Sequence, residues 1–190
     1  SWGDHDWDIF SSVIAGAEEA KLDQLPMGKL MAVIGTSFIG TTYVPGTLDV
    51  PGPERLVINF RGLDCVTFVE NVHALAVAIK NGAAERLDNR ASVETEYEQI
   101  LRALRYRKGL IDGYPSRLHY FSEWVEENER KRLVTNLSEE LGGIVENAAI
   151  AGHGVRDHRH LRRRRTLLGP VVRKGVSGEI RADRESQEHV

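Results

Sequence analysis

The stretch RGLDCVTFVENVHALAVAIKNG, residues 61–82, contains the single cysteine of this 190-residue chain. Apolar residues follow Cys65 at helical spacing until Asn81-Gly82 interrupts them, which predicts a helix over residues 65–80. A thiol in the first turn of a helix lies beside unpaired backbone N–H groups, at the positive end of the helix dipole. Such a position favours the thiolate, which is the nucleophilic form of cysteine.

Asp64 precedes this cysteine and has the side chain of a helix N-cap, which would fix the direction in which Cys65 points. The N–H groups of the first turn also suit an oxyanion formed when a thiolate attacks a carbonyl. The alternative is a cysteine that only packs at the base of a helix. A nucleophilic thiol also needs a general base, normally histidine. We expect His73, about two turns along the same helix, to be a polar surface residue, and His5 lies too near the N-terminus to be a strong candidate.

The elements around this helix follow from apolar periodicity and from turn residues. We expect helices over residues 7–22, 25–40 and 92–106, and a short helix at the end of residues 107–130. Residues 54–60 and 131–137 are expected to be strands, and the Gly-, Pro- and Thr-rich residues 41–53 an ordered loop. The apolar face of the second helix is predicted to consist of Leu30, Val33, Ile34 and Phe38.

Composition and charge narrow the classes of function. With 41% hydrophobic and 28% charged residues, the chain is long enough for one domain with a sizeable core. A net charge of +5 falls on residues 152–190 and −8 on residues 1–151, so the body has no basic stripe for nucleic acid. No apolar run approaches the roughly 20 residues that span a bilayer. The start at Ser1, without a leader-like segment, indicates a mature protein, a trimmed protein or a fragment.

We expect no cofactor and no bound metal. The segment HGVRDHRH, residues 153–160, is rich in histidine. However, His158 and His160 are two residues apart rather than three or four, and the neighbouring arginines repel cations. A single cysteine also excludes an internal disulfide.

Three blocks of the sequence resemble one bacterial family: FIGTTYVPGTLD, LVINFRGLDCVTFVENVHALA and LRYRKGLIDGYPSRLHYFSEW. Together they are similar to the N-acetylmuramoyl-L-alanine amidase-like proteins among the NlpC-type, papain-like cysteine hydrolases, over about residues 25–145. The resemblance implies a papain-like α+β fold, with the nucleophile at the start of a helix packed on a small antiparallel sheet. It also implies cleavage of the amide between the lactyl group of N-acetylmuramic acid and L-alanine in peptidoglycan muropeptides.

The resemblance implies roles for particular residues. Cys65 would be the nucleophile, and the hydroxyl of Tyr43 would hold the substrate or polarise its carbonyl. In the block SRLHY, Arg117 would pair with a substrate carboxylate, and His119 and Tyr120 would line the cleft. Two alternatives stay open: Tyr43 only packs under the loop, or the SRLHY block only pins its own loop to the core through Tyr120 and Trp124.

The sequence departs from the family after NLSEELGGIVENAA. The family has its catalytic histidine on a later strand, in a Ser-His-Val-Gly-like setting, and this chain has no such segment. We therefore predict an amidase-like N-terminal part over residues 1–150, with a truncated sheet, and a basic, poorly ordered, non-family tail over residues 151–190.

Three hypotheses about function follow. The chain is a truncated amidase that is weakly active or inactive; or one of the tail histidines replaces the base; or the chain is a non-enzymatic module that binds cell-wall fragments or polyanions. The tail histidines considered are His153, His158 and His160. A peptidoglycan substrate implies the periplasm or cell envelope, and the sequence does not fix the oligomeric state.

Overall fold

The computed structural model describes residues 2–137 and residue 140 of the chain. These residues belong to the first of two units, Ser1–Val145, and the second unit, Glu146–Val190, lies outside the described residues. The predicted domain boundary near residue 150, the predicted tail and the HGVRDHRH segment therefore also lie outside them.

The described residues are mainly helical. The helices are α1 (Asp4–Glu19), α2 (Met27–Thr36), α3 (Cys65–Lys80), α4 (Arg90–Arg105) and α5 (Phe121–Arg130). They confirm the five predicted helices with small shifts of their ends. No helix in this part of the chain combines the length and apolar character needed to cross a membrane. The apolar face predicted for α2 is correct for Leu30, Ile34 and Phe38, which are buried, and wrong for Val33, which is 40% exposed.

The sheet of the described residues consists of two short strands, β1 (Thr42–Tyr43) and β2 (Gly62–Leu63). They pair in parallel, Thr42 with Gly62 and Tyr43 with Leu63. Helices with a small sheet make this part of the chain α+β. The expected antiparallel arrangement is wrong for this strand pair. The chain between β1 and β2 crosses back, so that β2 runs in the same direction as β1.

The predicted strand over residues 54–60 is wrong, although Ile58 and Phe60 are buried in alternation as a strand would require. Side chains of the helices satisfy its backbone groups instead of a neighbouring strand. The Phe60 N–H donates to Asp6 Oδ1 (3.0 Å), and the Val57 carbonyl accepts from Arg105 Nη1 (2.7 Å). The apolar alternation therefore predicted correctly which side chains are buried. It did not predict that side chains of the helices, rather than a second strand, would bond the backbone of this segment.

The predicted strand over residues 131–137 is also wrong. Its first residues end α5: Arg132 has a left-handed backbone (φ 62°), and the Leu133 N–H donates to the Asn128 carbonyl at 2.9 Å. The side chains of Leu133 and Val134 then pack against the core. The apolar residues of this segment therefore seal the end of a helix rather than form a strand.

Helix α3 lies at the centre of the core. It contacts α1, α2 and α4, and every residue of the run 71–76 is buried. A cluster of aromatic rings packs beside it, with Phe10 and Tyr97 5.2 Å apart and Phe38 and Phe60 6.2 Å apart between ring centroids. Because α3 is enclosed on most sides, its first residue has a fixed position in the fold.

A buried ion pair joins α3 to its neighbours. Arg105 Nε of α4 lies 2.8 Å from Glu70 Oε2 of α3, and each side chain is only 2% exposed. The other carboxylate oxygen of Glu70 accepts from the indole N–H of Trp124 on α5 at 3.0 Å. Three helices thus meet at one carboxylate and one guanidinium, and the guanidinium also donates to the Val57 carbonyl in the segment before β2.

Replacing Glu70 by alanine should lower the free energy of unfolding by about 3–5 kcal/mol, because Arg105 would stay buried without a counter-charge. The control is Glu126→Ala, which removes an exposed ion pair with Arg130 and should cost less than about 1 kcal/mol. Urea unfolding of both variants measures the difference. Equal costs for the two changes would contradict a structural role of the buried pair.

Candidate functional site

The sequence-predicted nucleophile begins α3. Cys65 is the first residue of the helix, and it is exposed. The alternative of a cysteine buried for packing is therefore wrong. An exposed thiol at the first helical position can be reached by a molecule in solution.

Asp64 is the N-cap of α3, as predicted. Its Oδ1 accepts from the N–H groups of Val66 (3.1 Å) and Thr67 (2.8 Å), and its own N–H donates to Thr67 Oγ1 at 2.9 Å. These reciprocal bonds form a capping box. The cap fixes the backbone on both sides of Cys65.

The cap also decides which N–H groups of the first turn remain available. Asp64 takes those of Val66 and Thr67 through its side chain, and that of Phe68 through its carbonyl at 2.9 Å. Within the described residues, the Cys65 N–H is the one of these first four that has no acceptor. Of these four N–H groups, that of Cys65 is therefore the one that remains for the predicted oxyanion.

The strand pair places Tyr43 near the nucleophile. Tyr43 pairs with Leu63, two residues before Cys65, and the Val44 N–H donates to the Leu63 carbonyl at 3.1 Å. Paired strands lie about 4.8 Å apart, so Tyr43 is close to the start of α3. Its side chain is 67% exposed, which excludes the alternative that it only packs under the loop.

A close approach of the backbones makes this pairing possible. A Cβ atom added to Gly62 would lie 2.8 Å from Cγ2 of Val44. Any side chain at residue 62 would therefore push β1 away from β2. Glycine in the RGLDC block is explained by this contact rather than by a turn.

The SRLHY block divides into buried and exposed residues. Arg117 is buried, with Nη2 2.6 Å from Asp49 Oδ1 and Nε 3.3 Å from Glu54 Oε1. His119 is exposed and stacks on the ring of Tyr114 at 3.9 Å between centroids. Its Nε2 lies 2.8 Å from the Tyr114 carbonyl. The guanidinium that was predicted to bind a substrate carboxylate thus has two carboxylates of the chain beside it.

Tyr120 does not pin the block to the core. Its side chain is 64% exposed, whereas Trp124, the other proposed anchor, is 4% exposed. The pinning alternative therefore holds for Trp124 and is wrong for Tyr120. In the part of the chain that the structure describes, no hydrogen bond, ion pair or ring contact joins Arg117, His119 or Tyr120 to Cys65 or Tyr43.

The histidines of the described residues form no hydrogen bond with the thiol. His5 lies on α1, and His119 is held against Tyr114. His73, predicted to be on the surface, is instead buried, and its Nε2 lies 3.1 Å from the Leu133 carbonyl. The prediction failed because the middle of α3 is enclosed on nearly all sides. His153, His158 and His160 lie outside the described residues, so the tail-base hypothesis stays a prediction.

Sequence reasoning missed the partners of Arg117. Asp49 was assigned to the loop over residues 41–53, which its Gly, Pro and Thr content identified, and Glu54 to the start of the predicted strand over residues 54–60; their charges were not considered. The available signal was two carboxylates within six residues, in a stretch over residues 41–54 that has no other charged residue. Nothing in that part of the sequence indicated which arginine the two carboxylates would pair with.

An apolar groove of about 380 Å³ opens between α2 and α3. Ile39, which is 83% exposed, lines it together with Phe68 and Val69. Phe68 and Val69 follow Cys65 by three and four residues, so they lie on the same face of α3 as the thiol. Cys65 is therefore next to apolar as well as polar surface.

Fold and site together define an α+β chain with a candidate cysteine nucleophile at a capped helix N-terminus. The chain belongs to the N-acetylmuramoyl-L-alanine amidase-like family, whose model matches residues 33–166. The match begins and ends later than the range of about 25–145 expected from the three blocks. No curated protein matches the chain.

Solved structures show partial likeness to the chain. An N-acetylmuramoyl-L-alanine amidase from Bacteroides uniformis ATCC 8492, at 1.07 Å resolution, is 38% identical over 55% of this chain and 40% of its own, with a TM-score of 0.47. A protein from Bacteroides fragilis, named as a candidate xylanase, is 38% identical over 56% of this chain and 43% of its own, with a TM-score of 0.48. The chain thus spans about two fifths of the length of these two proteins.

Replacing Asp64 by alanine should lower the free energy of unfolding by about 1 kcal/mol, because the N–H groups of Val66 and Thr67 lose their acceptor. Asp64→Ser keeps a capping oxygen and is the matched control, which should lose less than the alanine variant. Thermal unfolding of both variants measures the effect. A serine variant as unstable as the alanine variant would contradict the capping role.

The pH dependence of stability should reflect His73. Burial lowers the pKa of His73, and the hydrogen bond to the Leu133 carbonyl partly opposes this. Because the unfolded chain then binds a proton more readily than the folded chain, stability should fall as the pH drops through the ordinary value of 6.5. Urea unfolding at about pH 7.5 and 5.5 should show a smaller loss for His73→Gln than for the wild type. His5→Gln, on the exposed side of α1, serves as the control, and an unchanged loss in His73→Gln would contradict the assignment.

Proposed function

We propose that this chain acts on peptidoglycan muropeptides as a cysteine amidase of the NlpC-type, papain-like class. The bond cleaved is the amide between the lactyl carbonyl of N-acetylmuramic acid and the nitrogen of L-alanine. The observation that supports this most is the exposed thiol of Cys65 on the first residue of α3, held by the Asp64 cap beside Tyr43. Family membership supplies the substrate class.

The proposed first step is attack of the Cys65 thiolate on the lactyl carbonyl carbon. The carbonyl oxygen becomes an oxyanion, and the backbone N–H of Cys65 is the donor that the capping box leaves available. Preorganised N–H donors of this kind stabilise a tetrahedral intermediate because they need no reorientation as charge develops. In this proposal the hydroxyl of Tyr43, an exposed residue, holds the same substrate group.

Collapse of the intermediate breaks the C–N bond, and the amine of L-alanine leaves with a proton from a general acid. Water then hydrolyses the lactyl thioester and frees the thiol. The described histidines form no hydrogen bond with Cys65, so we propose that the acid and base lie in a part of the protein outside the described residues. We further propose that the site operates in the periplasm or cell envelope, where peptidoglycan fragments occur.

Wild-type protein incubated with a muramoyl-L-alanyl peptide should release the L-alanyl peptide slowly, and Cys65→Ala should release none. Slow turnover is expected because no histidine of the described residues is hydrogen-bonded to the thiol to act as its base. Mass spectrometry of the products locates the cleaved bond. Ser11→Ala, a change at a half-buried residue of α1 far along the chain from the thiol, should leave the rate unchanged.

Two other outcomes would contradict parts of the proposed function. Cleavage that persists in Cys65→Ala would contradict cysteine catalysis. No cleavage by folded wild-type protein would contradict activity of this chain alone and favour a truncated amidase or a non-enzymatic binding module. Calorimetry with the same peptide then separates the last two, and binding to a polyanion would weaken steeply as salt rises.

A further inference from the structure

The two main residues of the proposed site, Cys65 and Tyr43, are held in position in different ways. Cys65 is held directly, because α3 runs through the core. Tyr43 is held by only two residues of β1, and the chain then enters the loop over residues 44–53. A strand pair of this length has few hydrogen bonds, so the position of Tyr43 depends on what fixes the loop.

Arg117 fixes that loop at two points. Its Nη2 donates to Asp49 Oδ1 at 2.6 Å, and its Nε lies 3.3 Å from Glu54 Oε1 without the alignment of a hydrogen bond. The hydroxyl of Tyr106 donates to the same oxygen of Glu54 at 2.8 Å. The side chains of Arg117 and Glu54 are 7% and 8% exposed, so little water competes with this pair.

Arg117 is itself anchored to the helices. It forms an antiparallel bridge with Tyr106, and the Leu118 N–H donates to the Arg105 carbonyl at 3.0 Å. Arg105 pairs with Glu70 on α3, the helix that begins with Cys65. A continuous set of contacts therefore runs from the nucleophile's helix through the end of α4 to the loop that follows Tyr43.

We propose that Arg117 is a positioning residue that clamps residues 44–54 and so holds Tyr43 beside Cys65, rather than a group that binds a carboxylate of the substrate. The inference rests on the proposed amidase function. The geometry supports it because the guanidinium is buried and already faces two carboxylates. A substrate carboxylate would have to displace Asp49, whose own side chain is 64% exposed.

The kinetic test uses two substrates that differ in one charge, N-acetylmuramoyl-L-alanine and its C-terminal amide. In Arg117→Gln we expect kcat to fall by about ten- to hundredfold for both, because small displacements of a substrate-holding group cost up to about 10²-fold in rate. Arg117→Lys keeps one ion pair and should lie between the wild type and Arg117→Gln. Arg130→Gln, which removes an exposed arginine from ion pairs on α5, is the matched control and should keep the wild-type kcat.

A second readout follows the loop without using activity. Hydrogen exchange of the full-length protein should become faster in peptides covering residues 41–50 when Arg117 is replaced by glutamine, and stay unchanged in α1. Asp49→Asn provides a milder variant, because an exposed carboxylate can be removed without leaving a buried charge. It should accelerate exchange in the same peptides by a smaller factor.

The outcomes separate the two ideas. A loss of activity confined to the substrate with the free carboxylate, with exchange unchanged, would overturn the clamp and make Arg117 a substrate-binding residue. Unchanged kcat and unchanged exchange in folded Arg117→Gln would overturn both roles. If the wild type cleaves neither substrate, the proposed function fails, and the exchange of residues 41–50 still confirms or refutes the clamp.

Discussion

The buried pair of Glu70 and Arg105 is the constraint on which the rest of the described structure depends. Each side chain is 2% exposed, so neither charge is compensated by water and each must keep its partner. Glu70 also accepts from Trp124, and Arg105 also donates to the Val57 carbonyl. One carboxylate and one guanidinium therefore fix α3, α4 and α5 relative to the segment that leads into β2.

This ion pair holds Cys65 more directly than it holds Tyr43. Cys65 lies on the helix that carries Glu70, and the Asp64 cap fixes the backbone at the point where that helix begins. Tyr43 belongs to a two-residue strand, and the loop behind it relies on ion pairs with Arg117. A firmly held Cys65 beside a more weakly held loop is a common division, because loops on a rigid scaffold can adapt to a ligand.

The polar groups of the first turn of α3 also show how one motif serves two purposes. The cap satisfies the N–H groups of Val66 and Thr67, which stabilises the helix, and leaves that of Cys65 available. A residue without a capping side chain at position 64 would leave more donors but a less ordered helix start. Membership of the N-acetylmuramoyl-L-alanine amidase-like family is the context in which we propose that this donor serves a developing oxyanion.

The sequence by itself determined the local features: the five helices, the Asp64 cap and the position of Cys65 in the first helical turn. These depend on residues close together in the chain, so periodicity and capping residues report them directly. Only the tertiary structure decided the parallel pairing of β1 and β2, the burial of His73 and the partners of Arg117. Those features arise from contacts between distant segments. The apolar alternation at residues 54–60 is typical of a strand. In the structure, side chains of α1 and α4 make the hydrogen bonds that a neighbouring strand would have made.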